Sequence, residues 1–365
     1  MEQDIYKQLA RQLDQYSVGF PATKSGIELK ILQRLFTQEE AALFLDMSML
    51  LETPESLAGR TGRDPEQTAG ILAAMATKGL IFRLHRGDSV LYAAVPFVVG
   101  SYEYQLKNID KELAELFEQY MQEGMLSGIA RKVFILRSIP VNKALDSQLA
   151  VAPYDDARQF LANKKKIAVA KCLCRIQQGL LDKGCNKPIE VCFAFDSHAD
   201  FYVENGMARY IGLQEALDIL DTCEKAGLVN QPFNVVNPGG MCNCCGCCCG
   251  ALRAMKTLPK PAEAVITSYY AQCDTDACTG CEICLDRCQM DAITMGEDGR
   301  AHVNRDRCIG CGLCVTTCYT EAMRLFRLPE SERRVPPATS QDLMMQMAQE
   351  RNTSLTPLKV LEAKK

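Results

Sequence analysis

The 365-residue sequence lacks most of the usual signposts of catalysis. It has no phosphate-binding loop of the Gly-x-x-x-x-Gly-Lys type, no Gly-x-Gly-x-x-Gly following a strand pattern and no nucleophile elbow. Nucleotide-driven and serine-nucleophile chemistry are therefore poor readings. Its three histidines, His85, His198 and His302, stand far apart. They read as packed or solvent-facing side chains rather than as ligands. No apolar run reaches the roughly 18 residues needed to cross a bilayer. The opening Met1-Glu2-Gln3-Asp4 is acidic and polar, unlike a signal peptide. The expectation is a cytoplasmic chain with no membrane partner. A positive excess is also missing, since the formal charge is −4. Nucleic acid is a poor match as partner, and a protein with a basic docking surface is a better one.

What the chain has in excess is cysteine, twenty in all. In a long unexported chain these read as metal ligands rather than disulfides. The adjacent pairs Cys244-Cys245 and Cys248-Cys249 make a disulfide framework awkward. Eight of the cysteines form two copies of C-x2-C-x2-C-x3-C: Cys278, Cys281, Cys284 and Cys288, then Cys308, Cys311, Cys314 and Cys318. The spacing places three thiolates on a tight loop and carries the fourth away on a short helical turn. That is a ligand pattern for 4Fe-4S clusters, and it does not match the paired C-x2-C halves of zinc sites. The repeat extends past the ligands: Cys-x-Gly-Cys occurs in both copies, and Asp291-Ala292-Ile293 matches Glu321-Ala322-Met323.

These motifs resemble the bacterial two-cluster ferredoxins. The resemblance implies that each fourth cysteine serves the other cluster. Cys278, Cys281, Cys284 and Cys318 would then hold one 4Fe-4S cluster, and Cys308, Cys311, Cys314 and Cys288 the second. The proline that usually follows the fourth cysteine is replaced by Gln289 and Tyr319. Each replacement restores a backbone N–H beside a ligand, which would raise the reduction potential if it points at sulfur.

The first hundred residues read as helices followed by a hairpin. Ile27 to Phe36 carries an apolar stripe, Thr37-Gln38-Glu39-Glu40 is a capping box, and Thr53-Pro54 and Asp64-Pro65 open two more helices. Leu80 to His85 and Ser89 to Ala94 alternate as strands around Arg86-Gly87-Asp88. The order resembles a winged helix, but the helix from Asp64 to Lys78 offers Asp64, Glu66, Gln67 and one lysine where a DNA reader would carry several basic residues. Docking of a protein partner fits better. Residues 102–125 carry a helical stripe, expected as one long amphipathic helix. That helix or the N-terminal domain would also serve pairing with a second copy. Tyr154 to Lys166 is expected as a helix whose Lys164-Lys165-Lys166 end suits the helix dipole. The tail after Leu328-Pro329 reads as a surface helix or loose arm.

The remaining cysteines concentrate between these regions. Cys172, Cys174, Cys185, Cys192, Cys242, Cys244, Cys245, Cys248 and Cys249 form the candidate pool for a third centre, while Cys223 and Cys273 stand apart. A third 4Fe-4S cluster is the preferred reading, with zinc as the alternative. Arg175 reads either as a counter-charge to a cluster or as an ordinary salt bridge. The chain as a whole resembles a group of long iron-sulfur proteins of anaerobes that join a winged-helix-like region, a middle region with C-x-C-R and C-N-C-C, and a two-cluster ferredoxin domain. The Cys-Cys-Gly triplets at Cys244 and Cys248 resemble those of heterodisulfide reductase subunits, which bind a noncubane cluster. The long spacing between that family's two motifs is missing.

The expected fold is α+β and multidomain: a winged-helix-like domain (1–100), a helix and connector (101–150), a cysteine-rich α+β domain (151–258), a ferredoxin-like domain with two 4Fe-4S clusters (268–328) and a tail (329–365). The expected function is electron transfer from a low-potential redox protein to a partner oxidoreductase. Two alternatives stay open: substrate chemistry at a middle-domain metal, and a redox-sensing transcriptional regulator.

Overall fold

A computed structural model of the protein describes residues 2–125, 134–145 and 151–362. The parts of the expected connector at 126–133 and 146–150, and the end of the tail at 363–365, lie outside the described residues. The chain forms two compact units, one of Met1–Gly128 with Phe201–Met207 and Met344–Lys365, the other of Ile129–Asp200 with Ala208–Leu343. Among the described residues no helix is long and apolar enough to cross a membrane.

In the first unit the capping signals act where they stand. Thr37 accepts from the Glu40 N–H while the Glu40 carboxylate accepts from Thr37, starting the helix Gln38–Phe44. Asp64 caps Pro65–Thr77 through the Gln67 N–H at 2.8 Å. The strands β1 (Ile81–Arg86) and β2 (Ser89–Ala94) pair antiparallel from Ile81↔Ala94 to Arg86↔Ser89. A helix not foreseen from the sequence, Glu2–Asp14, packs beside these. The stripe expected as one helix over 102–125 is divided. Glu103–Lys107 is a 3-10 turn, and the helix proper, Lys111–Glu123, begins only where the Asp110 carboxylate accepts the Leu113 N–H at 2.8 Å. Its buried face joins Phe20, Phe97 and Tyr102 to Phe117 and Tyr120, with ring centroids 4.6 to 6.1 Å apart.

The tail is no loose arm. Residues from Met344 onward belong to the first unit: Arg351 pairs with Asp14 at 3.0 Å, Leu358 N–H donates to Gln12 at 2.7 Å, and Lys359 pairs with Asp46 at 2.7 Å. Met344 and Met347 of the helix Ser340–Glu350 are buried, whereas Met345 is exposed.

The second unit is built on a five-stranded antiparallel sheet in the order β5-β3-β4-β7-β6, with β3 Ile167–Lys171, β4 Glu190–Phe195, β5 Ala208–Ile211, β6 Val229–Pro232 and β7 Gly240–Cys244. Phe160, Leu161, Val169, Phe193, Phe195, Leu220 and Met241 form its apolar core with helices Ala157–Ala162 and Leu213–Lys225. The helix expected to run to Lys166 stops at Ala162. Lys164 does not serve a helix dipole; its stem is buried, its ammonium donates to the Pro238 carbonyl at 2.7 Å, and it lies 5.0 Å from the Phe195 ring.

The same unit carries the two cysteine repeats. Strands β8 (Tyr269–Cys273) and β11 (Met323–Arg327) pair antiparallel from Tyr269↔Arg327 to Cys273↔Met323, and β9 (Ile293–Met295) with β10 (Ala301–Val303) forms the hairpin between the repeats.

Candidate metal centres

Each repeat turns on a glycine in the left-handed region at the same place. A Cβ on Gly280 (φ +70°) would lie 2.4 Å from the Gly299 carbonyl oxygen, and one on Gly310 (φ +66°) 2.2 Å from that of Tyr269. Only glycine allows each loop to lie this close to the neighbouring backbone. The result is two cavities. The first is lined by Cys278, Cys281, Cys284 and Cys318, the second by Cys288, Cys308, Cys311 and Cys314. Three cysteines of one repeat thus face the fourth of the other in both places.

Backbone donors converge on these sulfurs. The N–H groups of Ala271, Ala292 and Met323 donate to Sγ of Cys308, Cys288 and Cys318 at 3.3, 3.1 and 3.4 Å. These donors stand at other positions than Gln289 and Tyr319, where the sequence suggested them. The two cavities differ in exposure. Donors from Ala301 and Gly280 pull the Cys278 thiol below its ordinary value, and Cys281 is exposed. In the second cavity burial dominates and pushes Cys311 up to about 12. The donor sets fit thiolate-held clusters in both cases.

The middle-domain cysteines gather at one end of the five-stranded sheet but divide into two groups. Cys185, Cys245, Cys247 and Cys248 place their sulfurs within 4.8 Å of one another and could hold a metal ion. The sulfur separations are 3.9 Å for Cys185 to Cys245, 3.7 Å for Cys185 to Cys248 and 3.8 Å for Cys247 to Cys248. A single ion with metal–sulfur bonds of about 2.3 Å sets its four thiolates about 3.8 Å apart. Thiolates on the four irons of a cubane stand farther apart. The Cys245 thiol is drawn down to about 4 by the hydrogen bond from Cys248, against burial and with help from Arg175. It is a ready thiolate. Cys247, exposed in the loop, was missing from the sequence-derived pool; the run of cysteines from 244 to 249 was the available signal.

The other six pool members, Cys172, Cys174, Cys192, Cys242, Cys244 and Cys249, belong to a second group. Arg175 lies between the groups. It is buried, donates to the carbonyls of Pro188 at 2.9 Å and Asn243 at 2.8 Å, and interacts with Cys172, Cys192, Cys244 and Cys245. Burial alone would lower its pKa, but these thiols raise it above the usual arginine value. It is a counter-charge and not a surface salt bridge. Cys223 is buried in an apolar cluster, with its thiol pushed up to about 12, and Cys273 lines the first cavity beside Cys278. His85 pairs with Glu204 and His302 with Asp298, both at 3.3 Å, and His198 packs against the Phe233 ring.

Gln289 joins the two regions. Its side-chain oxygen accepts the Gly246 N–H at 2.8 Å in a buried position. Cys242, Cys244 and Cys249 also share one apolar core with Cys288 and Cys311.

Residues 277–322 match the family model described as a 4Fe-4S dicluster domain. No curated protein and no solved structure matches the chain.

Proposed function

We infer that residues 277–322, which match the 4Fe-4S dicluster domain, hold two 4Fe-4S clusters and give the protein a function in iron-sulfur electron transfer. We propose that Cys278, Cys281, Cys284 and Cys318 hold the first cluster and Cys308, Cys311, Cys314 and Cys288 the second, within a cytoplasmic protein that carries electrons from a low-potential donor to a partner oxidoreductase. When bound, the clusters supply reversible one-electron transfer. The protein residues set where exchange occurs. Around the first cavity Cys281, Ile283 and Tyr319 are exposed amid Asp274, Asp276, Glu282 and Asp286. This edge suits a donor with a basic face.

The single observation carrying the reading is the shared core of Cys288 and Cys311 with Cys242, Cys244 and Cys249, pinned by the bond from Gly246 to Gln289. It ties the buried second cavity to the cysteine end of the middle sheet. The four-cysteine group suits one structural zinc ion on its sulfur separations. The N-terminal region is read as winged-helix-like and as the docking module for the partner. The exposed face of Pro65–Thr77 presents Glu66, Gln67, Gly70 and Ala74, which does not suit a phosphate backbone. Unprotected thiols in this number suit an anaerobic setting.

The test is a redox titration of anaerobically purified full-length protein. Two cluster signals reducible by a dithionite-strength donor are expected. Protein without iron, or with clusters that such a donor leaves oxidised, would overturn the proposal.

A further inference from the structure

The six cysteines outside the four-cysteine group form a closed circuit of side-chain interactions: Cys172 with Cys174 and Cys192, Cys192 with Cys242, Cys242 with Cys244, Cys244 with Cys249, and Cys249 with Cys174. From this ring we infer a separate metal centre, a polynuclear iron-sulfur cluster held by six thiolates, distinct from the four-cysteine site.

The ring is a product of the fold. The register Phe193↔Met241 and Ala194↔Gly240 between β4 and β7 sets Cys192 opposite Cys242. Strand alternation then puts Cys244 on the same face as Cys242. Cys172 follows β3, its N–H bound to the Ile189 carbonyl at 2.7 Å, and Cys174 stands on the helix Leu173–Leu180 that begins there. Cys249 is the residue before the helix Gly250–Lys256. Separate stretches of chain thus converge on one place at one sheet end.

The contact pattern decides between kinds of partner. Disulfides would join the six in separate pairs, but every member interacts with two others, and none of the twenty cysteines is bonded to another. One tetrahedral ion takes about four thiolates, and so does one cubane. Six exceed both. Thiolates packed this closely also need several positive charges, and Arg175 supplies one. Arg175 Nε and Asn243 Oδ1 are buried with no hydrogen-bond partner, which leaves a spare donor beside the ring. Several irons with sulfide supply the missing charge. Iron fits better than a zinc-thiolate cluster because Cys242, Cys244 and Cys249 share their apolar core with Cys288 and Cys311 of the dicluster domain.

The experiment reconstitutes the full-length protein anaerobically with ferrous iron, sulfide and zinc, and counts iron, zinc and sulfide per chain with Mössbauer spectra. The dicluster domain accounts for about eight irons. The expected excess is about four or more irons that survive Cys247→Ser and disappear in Cys192→Ser/Cys242→Ser, leaving about eight. A count of about eight in the unaltered protein, an excess lost with Cys247, an unchanged count in the double variant, or zinc in place of the excess overturns the inference. If the double variant does not fold, the Cys247→Ser arm decides alone: a surviving excess supports the ring and a lost one sinks it. Failure of the electron-transfer reading appears separately, as normal iron counts with clusters that the donor cannot reduce.

Discussion

Gly246→Ala should separate the middle sheet from the dicluster domain. The added Cβ would lie 2.3 Å from the carbonyl oxygen of Gln289, a backbone atom that no rotamer change can move. Ordinary C···O contacts start near about 3.3 Å, so the two loops must part by about 1 Å. That movement breaks the bond from Gly246 to Gln289, now 2.8 Å long and buried. A buried donor without a partner costs about 1–3 kcal/mol and the overpacking about 1–3 more, so the expected loss is roughly 2–6 kcal/mol. Gly179→Ala is the control, since its Cβ meets nothing within 4 Å and it lies in the helix Leu173–Leu180. That change should be neutral or stabilise by up to about 1 kcal/mol. Anaerobic urea titrations followed by cluster absorbance and tyrosine fluorescence measure both. The variant should lose cluster absorbance at lower urea, ahead of the fluorescence change. Equal midpoints for the two alanine variants, or a single coincident transition in Gly246→Ala, would refute the idea that this contact joins the two regions.

Arg137→Met should cost about 3–5 kcal/mol, because it strands the buried Asp155 carboxylate with which Arg137 pairs; adding Asp155→Leu should recover most of the loss in the same urea titration. Burial, with the Lys164 charge, lowers the pKa of His198 to about 4, so the folded state favours the neutral ring. Its contribution is complete above about pH 6.5 and is lost as the pH falls toward about 4. With part of the ring exposed, the loss between pH 7.5 and 5.5 should be roughly 1 kcal/mol, and a His198→Gln protein with the same pH slope as the unaltered one would contradict this. Fluorescence anisotropy with duplex DNA should show no binding that strengthens steeply as salt is lowered, because Lys78, at the end of Pro65–Thr77, is already paired with Glu40 at 2.6 Å.

Local signals in the sequence were enough wherever one stretch of chain determines the outcome. Thr37, Asp64 and the Arg86-Gly87-Asp88 turn act within a few residues of themselves, and their elements stand where those signals point. The stripe over 102–125 misled because apolar periodicity does not reveal where a helix starts. Asp110 competes as an N-cap inside the stripe and moves the start to Lys111. The tail's helix was legible but its docking was not, because its anchors, Asp14, Gln12 and Asp46, lie more than 300 positions away.

The same distinction explains the cysteines. In the dicluster repeats the ligand spacing is itself local, so three thiols of each loop could be grouped from the sequence, while the exchange of Cys288 and Cys318 came from the resemblance to two-cluster ferredoxins. In the middle domain the grouping is set by strand pairing. Nothing in the sequence states that Phe193 faces Met241, yet that register brings Cys192 to Cys242 and leaves Cys185 to join Cys245 and Cys248. The alternation of β7 then divides neighbours: Cys242 and Cys244 share a strand face, whereas Cys245 lies past the end of β7, where the chain turns through Gly246 toward Cys247 and Cys248. Adjacent cysteines such as Cys244 and Cys245 therefore serve different groups. On the inference of two centres, the neighbours Cys244 and Cys245 would serve one each, reached from one strand and its turn.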